Sequence, residues 1–376
     1  MEADWLGELK QRHATLGDII KKHDLDAILL VGNNNVGPPA YGSLRYYSGY
    51  RVYAGLQALI AVPGKSLTAV CESRPDEYAL KTRGFERVIT SPDILSGVLS
   101  VLAEQPVRRL GLCPDILPSS LFLELEKRDV IFTDVTDDIF TVRNERSEPE
   151  VAAIRECAKI ADAGYQAVCD MAGPGVRMSD LHAELDYTMK KAGAEETFTL
   201  MSNGRFSYEN NRLSFLRAFT WPDDRVIKEG DNIAMEITPK YQGHWTQTVR
   251  MICIGEPHAD LRIAHKAQLE TIESTVPLLR TGNRLADVLT HMVEYGAGLG
   301  YINKFPFGHI MGLDLDEGGR ASLETNVILK RNMTFVLHPT LTTADKEYGI
   351  FWGDPYLVTD NGGERLTKGS TELRVL

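Results

Sequence analysis

Apolar residues in the first third of the chain come in short, nearly continuous runs, the pattern of strands covered on both faces. Ala27-Ile28-Leu29-Leu30-Val31 is one such run. Leu59-Ile60-Ala61-Val62 and Leu67-Thr68-Ala69-Val70 flank Pro63-Gly64-Lys65, which predicts a hairpin. Arg109-Leu110-Gly111-Leu112 and Val130-Ile131-Phe132 predict two further strands. Helices are predicted over about Asp4 to His23, whose basic last turn suits the helix dipole, and over about Ser119 to Lys127. Residues 1–145 therefore read as one alternating α/β domain.

The period then changes. Ser147-Glu148-Pro149-Glu150 carries an N-cap serine, a glutamate three residues on and a proline in the first turn, which predicts a capping box. Behind it Val151, Ile154, Ala158, Ala161, Tyr165 and Val168 recur at spacings of three and four, the stripe of an amphipathic helix. Gly173-Pro174-Gly175 stops it, and Leu181, Leu185 and Met189 mark a second helix over about Ser179 to Ala192. A comparable helix pair recurs over about Leu261 to Leu279 and Ala286 to Tyr295, and each pair is followed by strand-like segments. The clearest of these are Ile233–Ile237, Thr248–Ile254 and Thr334–Leu337. Residues 146–376 are thus expected to form a second domain built from two similar halves.

Composition narrows the function classes. The 376 residues exceed the roughly 250–300 at which one core stops growing, in line with two domains. A net charge of −11, with no long basic run, argues against a nucleic-acid or anionic-lipid surface. No apolar run approaches the roughly 18 residues needed to cross a bilayer. Five cysteines, an odd number with no C-x-x-C pair, read as reduced thiols of a cytoplasmic protein, and no apolar leader follows Met1. No phosphate-cradling glycine motif interrupts the first domain, so a nucleotide-binding reading has no support.

The chemistry-bearing frame lies between Gly230 and Thr359. It consists of Gly230-Asp231, Gly243 to Arg250, Phe307-Gly308-His309-Ile310-Met311-Gly312-Leu313, Val336-Leu337-His338-Pro339, and Gly349 through Asp354 to Leu357-Val358-Thr359. This resembles the creatinase/prolidase/aminopeptidase P superfamily. The resemblance implies a creatinase-like α/β N-terminal domain and a C-terminal "pita-bread" α+β domain with a curved antiparallel sheet. Members that use metal hold two cations through two Asp, one His and two Glu, and the matching positions here are Glu236, Gln247, His309, His338 and Gly353. A neutral amide bridges cations poorly and glycine offers no ligand, so no dinuclear centre is expected. A single divalent cation held by Glu236, His309 and His338 stays open as an alternative.

The departure from the metal-ligand set points, through the resemblance, to the metal-independent creatinase and ectoine-hydrolase branch. The expectation is a non-peptidase hydrolase that cleaves a C–N bond of a small polar, carboxylate-bearing molecule. Glu236 and His309 would transfer protons, with His338 and Gln247 orienting substrate or water. Two alternatives remain beside it, a lyase on the same fold and a non-catalytic binding module. The resemblance also implies substrate contacts at Phe219, Trp245, Asp316, Glu317 and Trp352. In creatinase-like homodimers the N-terminal domain completes the partner's site, which would make Arg51 and Tyr53 contacts across the dimer.

Overall fold

The structure, a computed structural model, describes residues 2–33, 42–51, 55–204, 223–304, 307–318, 321–342 and 349–376. The chain divides into two compact units, Met1–Arg143 and Asn144–Leu376.

The first unit contains α1 (Glu2–His23), β1 (Ala27–Asn33), α2 (Gly42–Ser48), β2 (Leu56–Ala61), β3 (Thr68–Cys71), α3 (Arg74–Thr82) and β4 (Arg87–Thr90). It continues with α4 (Ile94–Leu102), β5 (Arg109–Leu112), α5 (Ser119–Glu126), β6 (Ile131–Asp134) and α6 (Thr136–Arg143). Its strands form a mixed sheet in the order β4-β3-β2-β1-β5-β6. The hairpin expected around Pro63-Gly64-Lys65 is the antiparallel β2–β3 pair, in register Ala58 to Val70, and Gly64 takes the positive φ of the turn. Leu29, Val31, Ile60 and Val70 on the sheet pack against Val98 and Leu102 of α4 and Leu121 and Leu125 of α5.

The second unit opens with α7 (Glu148–Met171) and α8 (Met178–Lys191), followed by β7 (Glu196–Gly204), β8 (Asn232–Tyr241), β9 (His244–Trp245) and β10 (Thr248–Cys253). Next come α9 (Ala259–Thr275), α10 (Leu285–Gly298), β11 (Ile302–Lys304), β12 (Gly308–Ile310), β13 (Thr334–Leu337) and β14 (Thr340–Thr342). The unit ends with β15 (Gly349–Phe351), β16 (Asp354–Thr359), β17 (Gly362–Arg365) and β18 (Arg374–Val375). One sheet runs β18-β10-β8-β7, with β9 attached to β8, and a second runs β12-β13-β16-β17. Among the described strands of these two sheets every ladder is antiparallel except the short β10–β18 contact.

The capping box forms as the sequence predicts. Ser147 Oγ accepts from the Glu150 amide, and Glu150 Oε2 accepts from the Ser147 amide. The stripe of α7 then divides. Val151, Ile154 and Ala158 meet Leu357 and Leu366, whereas Ala161, Tyr165 and Val168 join α8 beneath Met235 and Ile237. The second helix pair, α9–α10, closes a separate core with Leu337, Ile350, Trp352 and Tyr356. No helix among the described residues is long and apolar enough to cross a membrane.

The two sheets are joined where β10 crosses the residues between β15 and β16. Val249 and Gly353 exchange backbone hydrogen bonds at 2.9 and 3.2 Å. Beside them Arg250 donates to Asp354 Oδ1 at 2.5 Å and to the carbonyls of Val249 and Gly353 at 2.9 Å, with both side chains about 1–2% exposed. Trp352 lies 4.8 Å from the guanidinium and His265 packs edge-on to Trp352 at 4.7 Å.

Replacing one partner of a buried pair leaves the other charge uncompensated, worth about 3–5 kcal/mol. Asp354→Asn is therefore expected to lower the denaturant midpoint of the second unit sharply. Trp221, Trp245 and Trp352 lie in that unit, so tryptophan fluorescence reports it, and a loss below about 1 kcal/mol would contradict this account. Burial pushes the His265 pKa down to about 4, helped by Arg250 and opposed by a hydrogen bond with the Thr371 backbone. The folded value lies below the unfolded one, so its stabilisation is complete above about pH 6.5 and is lost as pH falls toward 4. Melting temperatures measured from pH 7 to 5 should fall less steeply for His265→Gln than for the parent chain.

Candidate active site

Alternation along β8 and β10 decides which side chains meet. Glu236 pairs with Val249 and with Leu200, and Ile237 pairs with Thr248. Continuing that register sets Gln247 beside Thr238, so Glu236, Thr238, Gln247 and Val249 share one sheet face. The opposite face carries Met235 and Ile237, which pack on α7 and α8. Glu236 is half-buried and Gln247 is buried.

The second sheet supplies the histidines. His309 on β12 lies opposite Val336 of β13, and His338 follows the last residue of β13. Both are buried, their ring centroids lie 5.2 Å apart, and His338 meets Phe351 at the same distance. Gln247 bridges the two sheets. Its Nε2 donates to Thr238 Oγ1 at 3.4 Å, which turns its Oε1 toward His309 Nε2 at 3.2 Å. An amide oxygen only accepts, so His309 Nε2 carries the proton in this pair.

Gly353 is required by space. A Cβ there would lie 2.3 Å from the Leu337 carbonyl oxygen and 2.4 Å from His338 Cβ. The strand bearing His338 thus passes directly over the seam made by Val249 and Gly353.

Four of the other expected site residues are described in this unit. Glu317 is fully buried and accepts from the Leu313 and Asp314 amides at 2.8 and 3.2 Å, and it forms an ion pair with Arg146. Those contacts commit Glu317 to framing the turn after His309. Asp316 beside it is half-buried. Trp245 is enclosed by Met311 and Val336, with the Lys240 ammonium 4.8 Å from its ring. Trp352 is fully buried between Arg250 and His265. Both indoles therefore pack the core under the histidines. Arg51 is half-buried in the first unit, and Phe219 and Tyr53 lie outside the described residues. Thr238 was missed by sequence reasoning, although its place two residues from Glu236 on the same strand was the available signal.

The five positions do not fit a pair of divalent cations. Gln247 is a neutral amide engaged at both ends, His338 stands in place of a carboxylate, and no side chain fits at Gly353. Glu236, His309 and His338 do not assemble into a single-cation trio either. Among the described residues no three His, Cys, Asp or Glu side chains are grouped closely enough to hold one.

With this geometry in view, residues 152–360 match the model of metallopeptidase family M24, and residues 12–144 match the creatinase/prolidase N-terminal domain. A curated Xaa-Pro dipeptidase of Pyrococcus horikoshii is 27% identical over 365 residues, which cover 95% of this chain and 96% of that one. The prolidase structure from the same organism superposes with a TM-score of 0.83 at 24% identity, covering 96% of this chain and 99% of that chain. An X-Pro aminopeptidase structure from Thermotoga maritima gives 0.82 at 21% identity, covering 97% and 99%. The two structural likenesses establish the fold: a creatinase-like first domain and a pita-bread second one.

These relatives overturn the expected non-peptidase hydrolase, and its lyase and binding-module alternatives are set aside with it. The expectation took the bond class from the lost carboxylates. Those positions govern which cofactor can bind, whereas the full-length relationship runs to proteins named for peptide cleavage.

Because the contact at Gly353 is with backbone, even one added methyl group must move a strand. Gly353→Ala should cost about 1–3 kcal/mol, an overpacking penalty. Fluorescence-detected unfolding checks this, and an unchanged midpoint would show that the seam has slack.

Proposed function

The chain belongs to metallopeptidase family M24, and from that membership we propose that it hydrolyses the amide bond of a short peptide. Substrates with proline after the scissile bond are the first to try, since the full-length relative is named Xaa-Pro dipeptidase. The observation that carries this reading is the match along 95% of the chain, through both units.

Amide hydrolysis needs a group that takes a proton from water and a group that gives one to the leaving nitrogen. Glu236, half-buried on the shared sheet face, serves as the base in this reading. The buried histidine pair supplies the donor, and Gln247, held by Thr238, fixes the orientation of His309. Gln247 acts through His309 and is a positioning residue.

The test is peptide release by the purified chain from a panel of Xaa-Pro dipeptides and longer peptides with proline second. Glu236→Gln keeps size and hydrogen bonding while removing the base. It should lower kcat by about 10²–10⁴-fold with an unchanged melting temperature. A parent chain that leaves the whole panel intact would overturn the peptide reading. A Glu236→Gln chain with parental turnover would overturn the assignment of the base.

A further inference from the structure

The five positions that bind metal in relatives with a full ligand set hold a different structure here. We infer that they form a closed, metal-free polar cluster, in which the Gln247 amide takes the place of a bridging carboxylate and the strand crossing at Gly353 fills the place of another ligand. The inference concerns cofactor use and does not depend on the substrate reading.

Three observations support it. Gln247 has both ends of its amide engaged, one with Thr238 Oγ1 and one with His309 Nε2, so each hydrogen bond fixes the other. The proton on His309 Nε2 occupies the lone-pair site that a cation would need, because an imidazole nitrogen cannot donate a hydrogen bond and ligate metal at once. The Leu337 carbonyl and His338 Cβ stand where a side chain at 353 would begin. Simple loss of ligands would leave an open, charged hollow. Here Gln247 Oε1 and His309 Nε2 satisfy one another, and the close strand crossing fills the space at 353.

The obstacles differ in kind. At Gln247 and His338 the obstacle is the chemistry of the side chain, which one substitution can change. At Gly353 it is backbone packing, which no side chain can relieve. Gln247→Glu is isosteric and sets a carboxylate oxygen where Oε1 now meets His309 Nε2. His338→Glu adds a second carboxylate beside His309, whose ring lies 5.2 Å from that of His338. The double variant then sets two carboxylates beside the His309 imidazole, a three-donor set for one divalent cation with water completing the coordination and still without a ligand at 353.

The experiment compares melting curves and retained metal after desalting, using Mn²⁺, whose preference for oxygen ligands suits these donors. The wild-type chain should retain no stoichiometric Mn²⁺, and its melting temperature should move by less than about 1 °C. Gln247→Glu/His338→Glu should melt below wild type without metal, because two like charges are then buried beside a single imidazole. It should gain about 5 °C or more with Mn²⁺ in excess and retain one cation per chain. Should the double variant fail to fold, Gln247→Glu alone carries the same comparison with a smaller gain. Stoichiometric Mn²⁺ on the wild-type chain, or a saturable rise in its melting temperature, overturns the inference. Folded variants that melt alike with and without Mn²⁺ overturn the assignment of the obstacle to Gln247 and His338.

Discussion

The second unit depends on the crossing of β10 over the β15–β16 junction, held by the Arg250–Asp354 pair. Two sheets whose inner faces carry polar groups cannot be joined by the hydrophobic effect alone. Each group at the junction needs a partner. Arg250 meets this need with one side chain, reaching the Asp354 carboxylate and the carbonyls of Val249 and Gly353 while its face stacks on Trp352. The planar, always-charged guanidinium can do this where a lysine ammonium cannot. The pair also sets the depth of the crossing, and that depth brings the His338 strand within van der Waals contact of residue 353.

The site follows from that constraint. Glu236 and Gln247 come from one sheet and His309 and His338 from the other, so the four meet only because the sheets are pinned at the seam. Gln247 then links across it to His309. Around this centre the large residues are structural. Trp245 supports the turn after His309, Trp352 backs Arg250, and Glu317 holds Arg146 against that same turn. Membership of a metallopeptidase family and a cluster unsuited to two cations are compatible. The fold supplies the position of the reacting bond, and the residues at the seam supply the local chemistry.

Much of the scaffold was legible because it rests on local rules. The capping box at Ser147–Glu150 is a short-range pattern with one geometric solution, and it appears as read. The run Thr334–Leu337 is a strand at those bounds, buried throughout, as a continuous apolar run implies. Less regular elements were harder to read. The helix expected to run to Leu279 ends at Thr275 and passes into a single 3₁₀ turn, where Pro277 lacks the amide a continuing helix needs. β4 was not singled out, because Arg87–Thr90 lies at the sheet edge with half-buried or exposed side chains and so lacks a strong apolar signature.

At the site the division is sharper. The resemblance to the superfamily named Glu236, Gln247, His309, His338 and Gly353, and the residue types at those positions showed that the donor set had changed. The aromatic and acidic residues expected to touch substrate could not be sorted that way, since an indole has the same sequence signature in a core and in a pocket. Burial assigned Trp245 and Trp352 to packing, and the ion pair with Arg146 assigned Glu317 to the frame. The sequence by itself determined the two-unit plan and the helix pairs, which depend on nearest neighbours and period, and through its family resemblance the residues at the seam. Tertiary structure decided that Gln247 faces His309, that Thr238 holds it, and that nothing larger than glycine fits at 353. Those facts depend on how strands from the two sheets approach one another in space, which no local pattern encodes.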